Sequence, residues 1–289
     1  MPPERARRSG PRRPAPAIGF SVVFVLAIAI QLFCLPALAA QRIASLNVCL
    51  DQLLLDWVDH RRIVSVTWLS ANPHYRRAPL PEHVTLNRGH AEELLGLRPD
   101  LVLAGQYGAN RASTRLRELG VRVVTIPDAY NLAQLQQQLR ALGEELGLGR
   151  ELNHQARRFE QLVRQPPAEQ PLTAMILSAN NLTYGGGMLE HELLELAGFR
   201  NLAAEGGQRL QRVMLEQVIA AEPQLLVLYG GEQAFALAHL AARHPVIRRY
   251  VDSGRVFILP PELGFCPALV AADVLEALQK KRESLVRTQ

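Results

Sequence analysis

Aromatic, amide and basic side chains follow several predicted strands of this 289-residue chain. Aromatic rings stack on flat ligands, while arginine and amide groups form hydrogen bonds with charged or polar ones. We therefore expect a binding site for a large, partly planar or anionic ligand. The candidate ligand-binding residues are Asn47, Trp68, Arg88, Tyr107, Asn181, Tyr184 and Phe265. The rings of Trp68, Tyr107 and Tyr184 are stronger candidates than the arginines, because surface arginines are often simply solvated.

The motifs that most often mark an enzyme are absent from the sequence. It contains no G-x-S-x-G nucleophile turn, no phosphate-binding P-loop and no H-E-x-x-H zinc motif. The histidines, including His74, His83, His90 and His191, stand at no recognised ligand spacing with a matched carboxylate. We therefore expect a binding protein with no catalytic residues, no resident metal and no cofactor of its own.

Cys49 and Cys266 each follow a predicted strand, RIASL and RVFIL respectively, and each precedes a predicted helix. Both should lie near the carboxyl ends of strands, where an open parallel sheet forms its ligand crevice. We hypothesise a disulfide between them, with two free, half-buried thiols as the alternative. Counting free thiols under denaturing conditions distinguishes the two states.

One segment occurs twice: EELLGLRPDLVLA at residues 92–104 and EQVIAAEPQLLVL at residues 216–228. Each copy predicts a short helix that stops before a proline, Pro99 or Pro223, because proline disfavours the helical region for the preceding residue. The apolar run after each proline is typical of a strand buried on both faces. Two copies predict two similar α/β lobes that enclose a cleft.

Strands and helices alternate along the rest of the chain, which is typical of parallel sheets covered by helices. The predicted fold is α/β, with two Rossmann-like lobes joined by one long connecting helix. The predicted segments are 1–40 for a signal peptide, 41–130 for the N-terminal lobe, 131–165 for the connector and 166–289 for the C-terminal lobe. Gly147 and Gly149 are expected to kink or break the connector. A long connecting helix also predicts limited hinge closure.

The first 40 residues combine five arginines with an apolar stretch from Phe20 to Leu38 and small residues at Ala37, Ala39 and Ala40. This pattern predicts a cleaved signal peptide and a periplasmic protein, with an uncleaved membrane anchor as the alternative. The whole chain carries a net charge of +5, and this segment holds five Arg and one Glu, so about +1 remains for the rest. We therefore expect no nucleic-acid partner.

The chain resembles periplasmic substrate-binding proteins of ABC importers, of the class that binds cobalamin and ferric siderophores. The residues that carry the resemblance are RIASLN with DQLLL, RIVSV, AEELLGLRPDLVLA and LEQVIAAEPQLLVL. It implies a monomeric receptor that delivers an iron-siderophore or corrinoid-type metal chelate to an ABC permease and its ATPase, and contacts the membrane only through that permease. It also implies that Glu92 and Glu216 dock against the permease, although the helix dipole alone would favour both carboxylates.

The sequence departs from that family at two places. Asn47-Val48-Cys49-Leu50-Asp51 stands where members often have a polar set such as Asn-Thr-Glu, and Leu86-Asn87 stands where some cobalamin binders have a tryptophan. The missing tryptophan argues against cobalamin specifically and leaves a ferric siderophore, a corrinoid or haem open as ligands. Two other functions are kept as alternatives: a receptor for a free metal ion of the zinc or manganese type, and an exported α/β enzyme.

Overall fold

The structure, a computed structural model, describes residues 40–149, 151–164, 168–230 and 244–288. Residues 1–39 of the predicted signal peptide lie outside the described residues. Within the described ranges, no helix combines the length and apolar character needed to cross a membrane.

The N-terminal part alternates strands and helices, as its sequence pattern predicts. Its strands are β1 (Ile43–Ser45), β2 (Ile63–Thr67), β3 (Thr85–Asn87), β4 (Leu101–Gly105) and β5 (Val123–Ile126), and its helices are α1 (Val48–Trp57), α2 (Ala91–Leu97) and α3 (Asn110–Glu118). The strands form a parallel sheet in the order β3-β2-β1-β4-β5. The strand order therefore reverses direction between β1 and β4.

The connecting segment consists of two helices, α4 (Leu132–Leu146) and α5 (Glu151–Val163). The first ends at Gly147, which adopts φ 64°, and the amide of Gly147 donates to the Gly143 carbonyl. Glycine takes this left-handed conformation without a Cβ clash, so it stops the helix where the sequence places it. The expected break at Gly147 thus divides the connector, which is not a single continuous helix.

The C-terminal part also alternates strands and helices. Its strands are β6 (Leu172–Leu177), β7 (Leu182–Tyr184), β8 (Phe199–Asn201), β9 (Leu210–Arg212), β10 (Leu225–Tyr229) and β11 (Val256–Leu259), and its helices are α6 (Leu189–Leu196), α7 (Leu215–Ala221), α8 (Pro245–Asp252), α9 (Glu262–Phe265) and α10 (Pro267–Thr288). Four strands form a parallel sheet in the order β11-β10-β6-β8, while β7 and β9 pair antiparallel. Two parallel sheets with covering helices confirm the predicted α/β class.

The two copies of the repeated segment fold alike. Helices α2 and α7 end one residue before Arg98 and Glu222, which adopt left-handed conformations with φ 47° and 42°. Pro99 and Pro223 follow directly and cannot donate a helical hydrogen bond, so neither helix continues. The Arg42 side chain adds two hydrogen bonds to the end of α2, donating to the carbonyls of Leu97 and Arg98. The predicted helix stops are therefore confirmed.

Both sheets contribute to one continuous apolar core. Ile43 and Leu103 of the first sheet belong to the same buried cluster as Ile176 and Val227 of the second, with Leu139 of α4 also in it. The alternate residues of the same strands enter two smaller clusters on the outer faces of the sheets. This explains why the strand sequences are apolar without alternation, since both faces are buried. It also shows that one buried apolar cluster, which includes residues of the connector, links the two lobes.

Candidate functional site

A cavity of about 320 Å³ lies between the two lobes, at the carboxyl ends of strands from both sheets. The residues that line it are Asn47, Val48, Cys49, Leu50, Gly105, Ile126, Asp128, Ala129, Tyr130, Gln138, Tyr184, Met188, Leu189, Glu190, Leu263, Gly264, Phe265 and Pro267. On the N-terminal side these residues follow β1, β4 and β5, which is the half of the sheet beside the reversal of strand order. Open α/β sheets form their ligand crevices at such a reversal.

Asn47 stands at the floor of the cavity and also caps a helix. Its side-chain oxygen accepts hydrogen bonds from the amides of Cys49 and Leu50, at 2.9 and 3.2 Å, and so satisfies the first turn of α1. A Cβ placed on Gly105, at the end of β4, would lie 2.4 Å from Asn47 Nδ2. The glycine is therefore required for the close approach of the two strand ends.

The C-terminal wall contains Tyr184 and the buried carboxylate of Glu190, and Tyr229 packs behind both. The rings of Tyr184 and Tyr229 lie with their centroids 5.5 Å apart, and the Tyr229 hydroxyl donates to Glu190 Oε1 at 3.4 Å. Burial raises the pKa of Glu190, and burial together with the Glu190 charge raises the pKa values of both phenols. Both tyrosines are therefore neutral hydrogen-bonding groups at physiological pH.

The N-terminal wall has a similar composition. The Tyr130 hydroxyl donates to Asp128 Oδ2 at 3.3 Å. A hydrogen bond with Tyr107, partial burial and the Asp128 charge together raise the pKa of Tyr130 to about 12. Gln138 of α4 is 5% exposed, and its Nε2 donates to the Pro127 carbonyl at 2.7 Å. This wall therefore also presents a neutral phenol, that of Tyr130, beside a carboxylate.

Three of the seven predicted ligand-binding residues line the cavity: Asn47, Tyr184 and Phe265. Tyr107 does not line it but contacts Tyr130, which does. Trp68 follows β2 and Arg88 follows β3, and neither is among the lining residues. Because strands are spaced by about 4.8 Å, β3 lies roughly 10 Å from β1 in the sheet. This spacing keeps Arg88 from the cavity, whereas Trp68 follows β2, the neighbour of β1, and is simply not among the lining residues.

Asn181 has a backbone role in the turn between β6 and β7. It adopts φ 57°, a conformation that asparagine tolerates better than most residues, and its carbonyl accepts from the Val213 amide at 2.8 Å. Asn181 does not line the cavity. Its role in the described structure is to adopt the left-handed backbone conformation of the turn.

Cys49 and Cys266 are joined in a disulfide, with their Cα atoms 5.0 Å apart. Cys49 lies in the first turn of α1 in the N-terminal lobe, whereas Cys266 lies between α9 and α10 in the C-terminal lobe. Phe265 precedes Cys266 and is 38% exposed at the cavity. The disulfide therefore crosses between the lobes beside the cavity.

Glu92 and Glu216 are exposed in the first turns of α2 and α7, at equivalent positions of the repeat. Their neighbours have a structural task instead. Glu93 accepts from the amides of Arg88 and His90, and Gln217 accepts from the Met214 amide, so each third helical residue closes its own helix start. Glu92 and Glu216 are thus not part of the helix caps.

Sequence reasoning missed Asp128, Tyr130, Gln138 and Glu190 in the cavity wall. Asp128 and Tyr130 follow the strand VVTI directly, so the rule that selected the other loop residues applies to them too. Glu190 stands three and four residues before Leu193 and Leu194, which are buried, so helical periodicity places it on the inward face of α6. Nothing in the sequence marks Gln138, because it is one of several glutamines in a polar helix.

Among the described residues, no three or more His, Cys, Asp or Glu side chains are grouped in a way that could hold a metal ion. His191 is half-buried beside Glu195, with Nε2 to Oε2 at 3.5 Å, and next to the Asn201 amide. The carboxylates Asp128 and Glu190 enter the cavity from opposite lobes. The chemistry of the described cavity wall is therefore that of stacking and hydrogen bonding.

Comparison with known proteins agrees with this architecture. The sequence model of the family described as periplasmic binding protein matches residues 43–263. A vitamin B12-binding protein of Yersinia pestis is 28% identical over 211 residues, which cover 70% of this chain and 74% of that protein.

Two solved structures show the same fold at low sequence identity. A possible iron-binding (periplasmic solute-binding) protein of Staphylococcus epidermidis gives a TM-score of 0.65 at 17% identity and covers 84% of this chain and 98% of its own. The periplasmic heme-binding protein HutB of Vibrio cholerae gives a TM-score of 0.64 at 15% identity and covers 83% and 98%. Similarity at this level of identity concerns the fold alone.

Proposed function

The chain belongs to the periplasmic binding protein family, and from this premise we propose that it is a receptor that captures a metal chelate between its lobes and delivers it to an ABC permease. The observation that carries this proposal is the cavity at the carboxyl ends of both sheets, which is lined by side chains of both lobes. A ligand held there contacts two lobes at once and buries much of its surface.

The chemistry of the cavity supports a large, partly flat ligand. Tyr130, Tyr184 and Phe265 present rings, and Asn47, Gln138 and the carboxylates present polar groups around them. A few directional polar groups among apolar and aromatic surfaces are typical of sites for large organic ligands. The relative named for vitamin B12 binding supports a corrinoid, and a ferric siderophore and haem are the other members of the proposed ligand class.

The remaining parts of the proposal concern export and delivery. The Arg-rich, apolar start of the sequence supports secretion with cleavage near residue 40. Exposed Glu92 and Glu216, on equivalent helices of the two lobes, support docking of both lobes against cationic groups of a permease. We propose a monomer that performs no chemistry on its ligand.

Ligand titration of the exported protein tests the proposal. Quenching of Trp57 and Trp68 fluorescence is followed during addition of ferric siderophores, cobinamide, cobalamin and haem, with isothermal titration calorimetry as the second readout. Saturable one-to-one binding of one chelate class is expected. If none of these ligands binds while zinc or manganese ions do, the chelate receptor is contradicted and the free metal-ion receptor replaces it.

A further inference from the structure

The described cavity wall is rich in hydrogen-bond acceptors. Gln138 Oε1 is buried and has no hydrogen-bond partner, although Gln138 lines the cavity. Its orientation is set by its Nε2, which donates to the Pro127 carbonyl, a group that only accepts. Asp128 and Glu190 add two carboxylates, one from each lobe. A ligand that donates hydrogen bonds would pair with these carboxylates, whereas a ligand that only accepts would gain no hydrogen bond from them.

The described cavity wall also carries no basic counterpart to these acids. No Arg, Lys or His is among its described lining residues. Arg77 is engaged elsewhere, since its Nη1 donates to the Leu269 carbonyl at 3.0 Å and its Nη2 lies 3.8 Å from Asp273 Oδ2. Arg88 follows β3, two strands away from β1. The sequence-based expectation that arginines would hold an anionic ligand is therefore not met at this cavity.

From these two features we infer that the cavity selects a chelate without net negative charge, whose edge donates hydrogen bonds through groups such as primary amides. This inference rests on the proposed function and names the ligand class within it. Carboxylate or catecholate groups of a ligand would face Asp128 and Glu190 at short range, with no cation of the described wall to offset the repulsion. Amide groups would instead donate to the same carboxylates.

A matched ligand pair tests the inference without any change to the protein. Cobinamide carries primary amides on its ring, and hydrolysis of those amides to carboxylates gives a polyanion of the same shape. We expect the amide form to bind at least about 100-fold more tightly at fixed ionic strength, a ratio that corresponds to about 2.7 kcal/mol. Haem and a ferric tricatecholate serve as unrelated anions, and we expect them to bind weakly or not at all.

Variants of the two carboxylates locate the source of the selectivity. Asp128→Asn and Glu190→Gln, alone and together, should narrow the ratio between amide and carboxylate ligands by about tenfold or more. Glu195→Gln is the matched control, because Glu195 is exposed on the same helix as Glu190 and does not line the cavity. Circular dichroism identifies any variant that fails to fold, and the ligand pair on the unchanged protein still decides the question in that case.

The outcomes separate the inference from the proposed function. Tight binding of haem, the tricatecholate or the carboxylate corrinoid, with weak binding of cobinamide, overturns the charge selectivity and leaves a chelate receptor in place. An equal affinity for the two members of the matched pair also overturns it. If no chelate of either charge binds, the proposed function fails, and the inference fails with it.

Discussion

Single carboxylates in this protein differ mainly in how deeply they are buried. Asp51 of α1 is fully buried, and its Oδ2 accepts from the Thr67 amide at 2.9 Å and from Ser70 Oγ at 2.8 Å. Burial raises the pKa of Asp51 to about 6, although these hydrogen bonds oppose the shift. These hydrogen bonds hold the turn that carries Trp68. The role of the buried Asp51 carboxyl group is therefore structural.

Asp51→Asn should change how stability depends on pH. A carboxyl whose pKa is higher in the folded state binds more protons there, so the wild-type protein loses stability as pH rises from about 4 to 7. The higher pKa of Asp51 in the folded state corresponds to a loss of about 3 kcal/mol in the free energy of unfolding across this pH range. The variant should lack this part of the slope in urea unfolding series. Asp56→Asn, exposed on the same helix, is the control, and parallel profiles for wild type and Asp51→Asn would contradict the prediction.

Gly105→Ala should damage both stability and ligand binding. The new Cβ would meet Asn47 Nδ2 at 2.4 Å, and Asn47 cannot move without weakening its cap on α1. We expect a loss of about 1–3 kcal/mol in unfolding free energy and a weaker affinity for the ligand. Gly96→Ala is the control, since nothing lies within 4 Å of that position and alanine favours the helix. Equal effects at both glycines would contradict this account.

At the scale of elements, the repeated helix and strand serve the two lobes in the same way. Both helices begin with a side chain at the third position that closes the helix start, and both end at a residue with positive φ before a proline. The exposed glutamates Glu92 and Glu216 stand beside these structural residues but do not share their task. Substitution of Glu92 and Glu216 therefore tests the docking hypothesis without removing a helix cap, and substitution of the neighbouring capping residue serves as the control.

Glu92→Lys combined with Glu216→Lys should abolish transport without affecting capture of the ligand. Charge reversal replaces attraction to cationic groups of the permease with repulsion, and the cost to each helix start is about 0.3–1 kcal/mol. Uptake into proteoliposomes should fall by about tenfold or more while the equilibrium affinity is unchanged. Glu93→Gln keeps its capping hydrogen bond and is the matched control. Normal uptake by the double variant would contradict the docking role.

On the scale of the whole molecule, two features tie the lobes together. One is the apolar core shared by both sheets, and the other is the disulfide between α1 and the start of α10. The connector itself is broken at Gly147, so a continuous helix is not what limits hinge motion. We therefore expect limited closure because of the shared core and the disulfide instead.

Removing the disulfide should lower stability and loosen the lobes. Cys49→Ala with Cys266→Ala should cost about 2–4 kcal/mol in unfolding free energy, because the bridge spans 217 residues of chain. Denatured wild-type protein, harvested oxidised, should show no free thiol from this pair. Two reactive thiols in the denatured wild-type protein, together with an unchanged unfolding midpoint in the double variant, would contradict the bridge.

Ligand addition should produce little change in overall dimensions. Separating lobes that share a core would expose apolar surface, which costs roughly 25 cal/mol per Å². Small-angle scattering with and without a saturating chelate should therefore give nearly the same radius of gyration. A large decrease on ligand addition would contradict this prediction and point to an open resting state.

The sequence by itself determined the α/β class, the repeated unit and the points where helices stop. These features depend on local physics: proline and glycine restrict the backbone, and apolar runs without alternation require burial on both faces. It also placed candidate residues at strand ends, and Asn47, Tyr184 and Phe265 do line the cavity.

Tertiary structure alone decided which strand ends share the cavity. The residues at the ends of β1, β4 and β5, in the order β3-β2-β1-β4-β5, line the cavity with residues of the second lobe, whereas Trp68 and Arg88 do not line it. Strand order depends on contacts between distant segments, and no local pattern encodes it. The same holds for Asp128 and Glu190, whose meeting across the cleft depends on packing between the lobes.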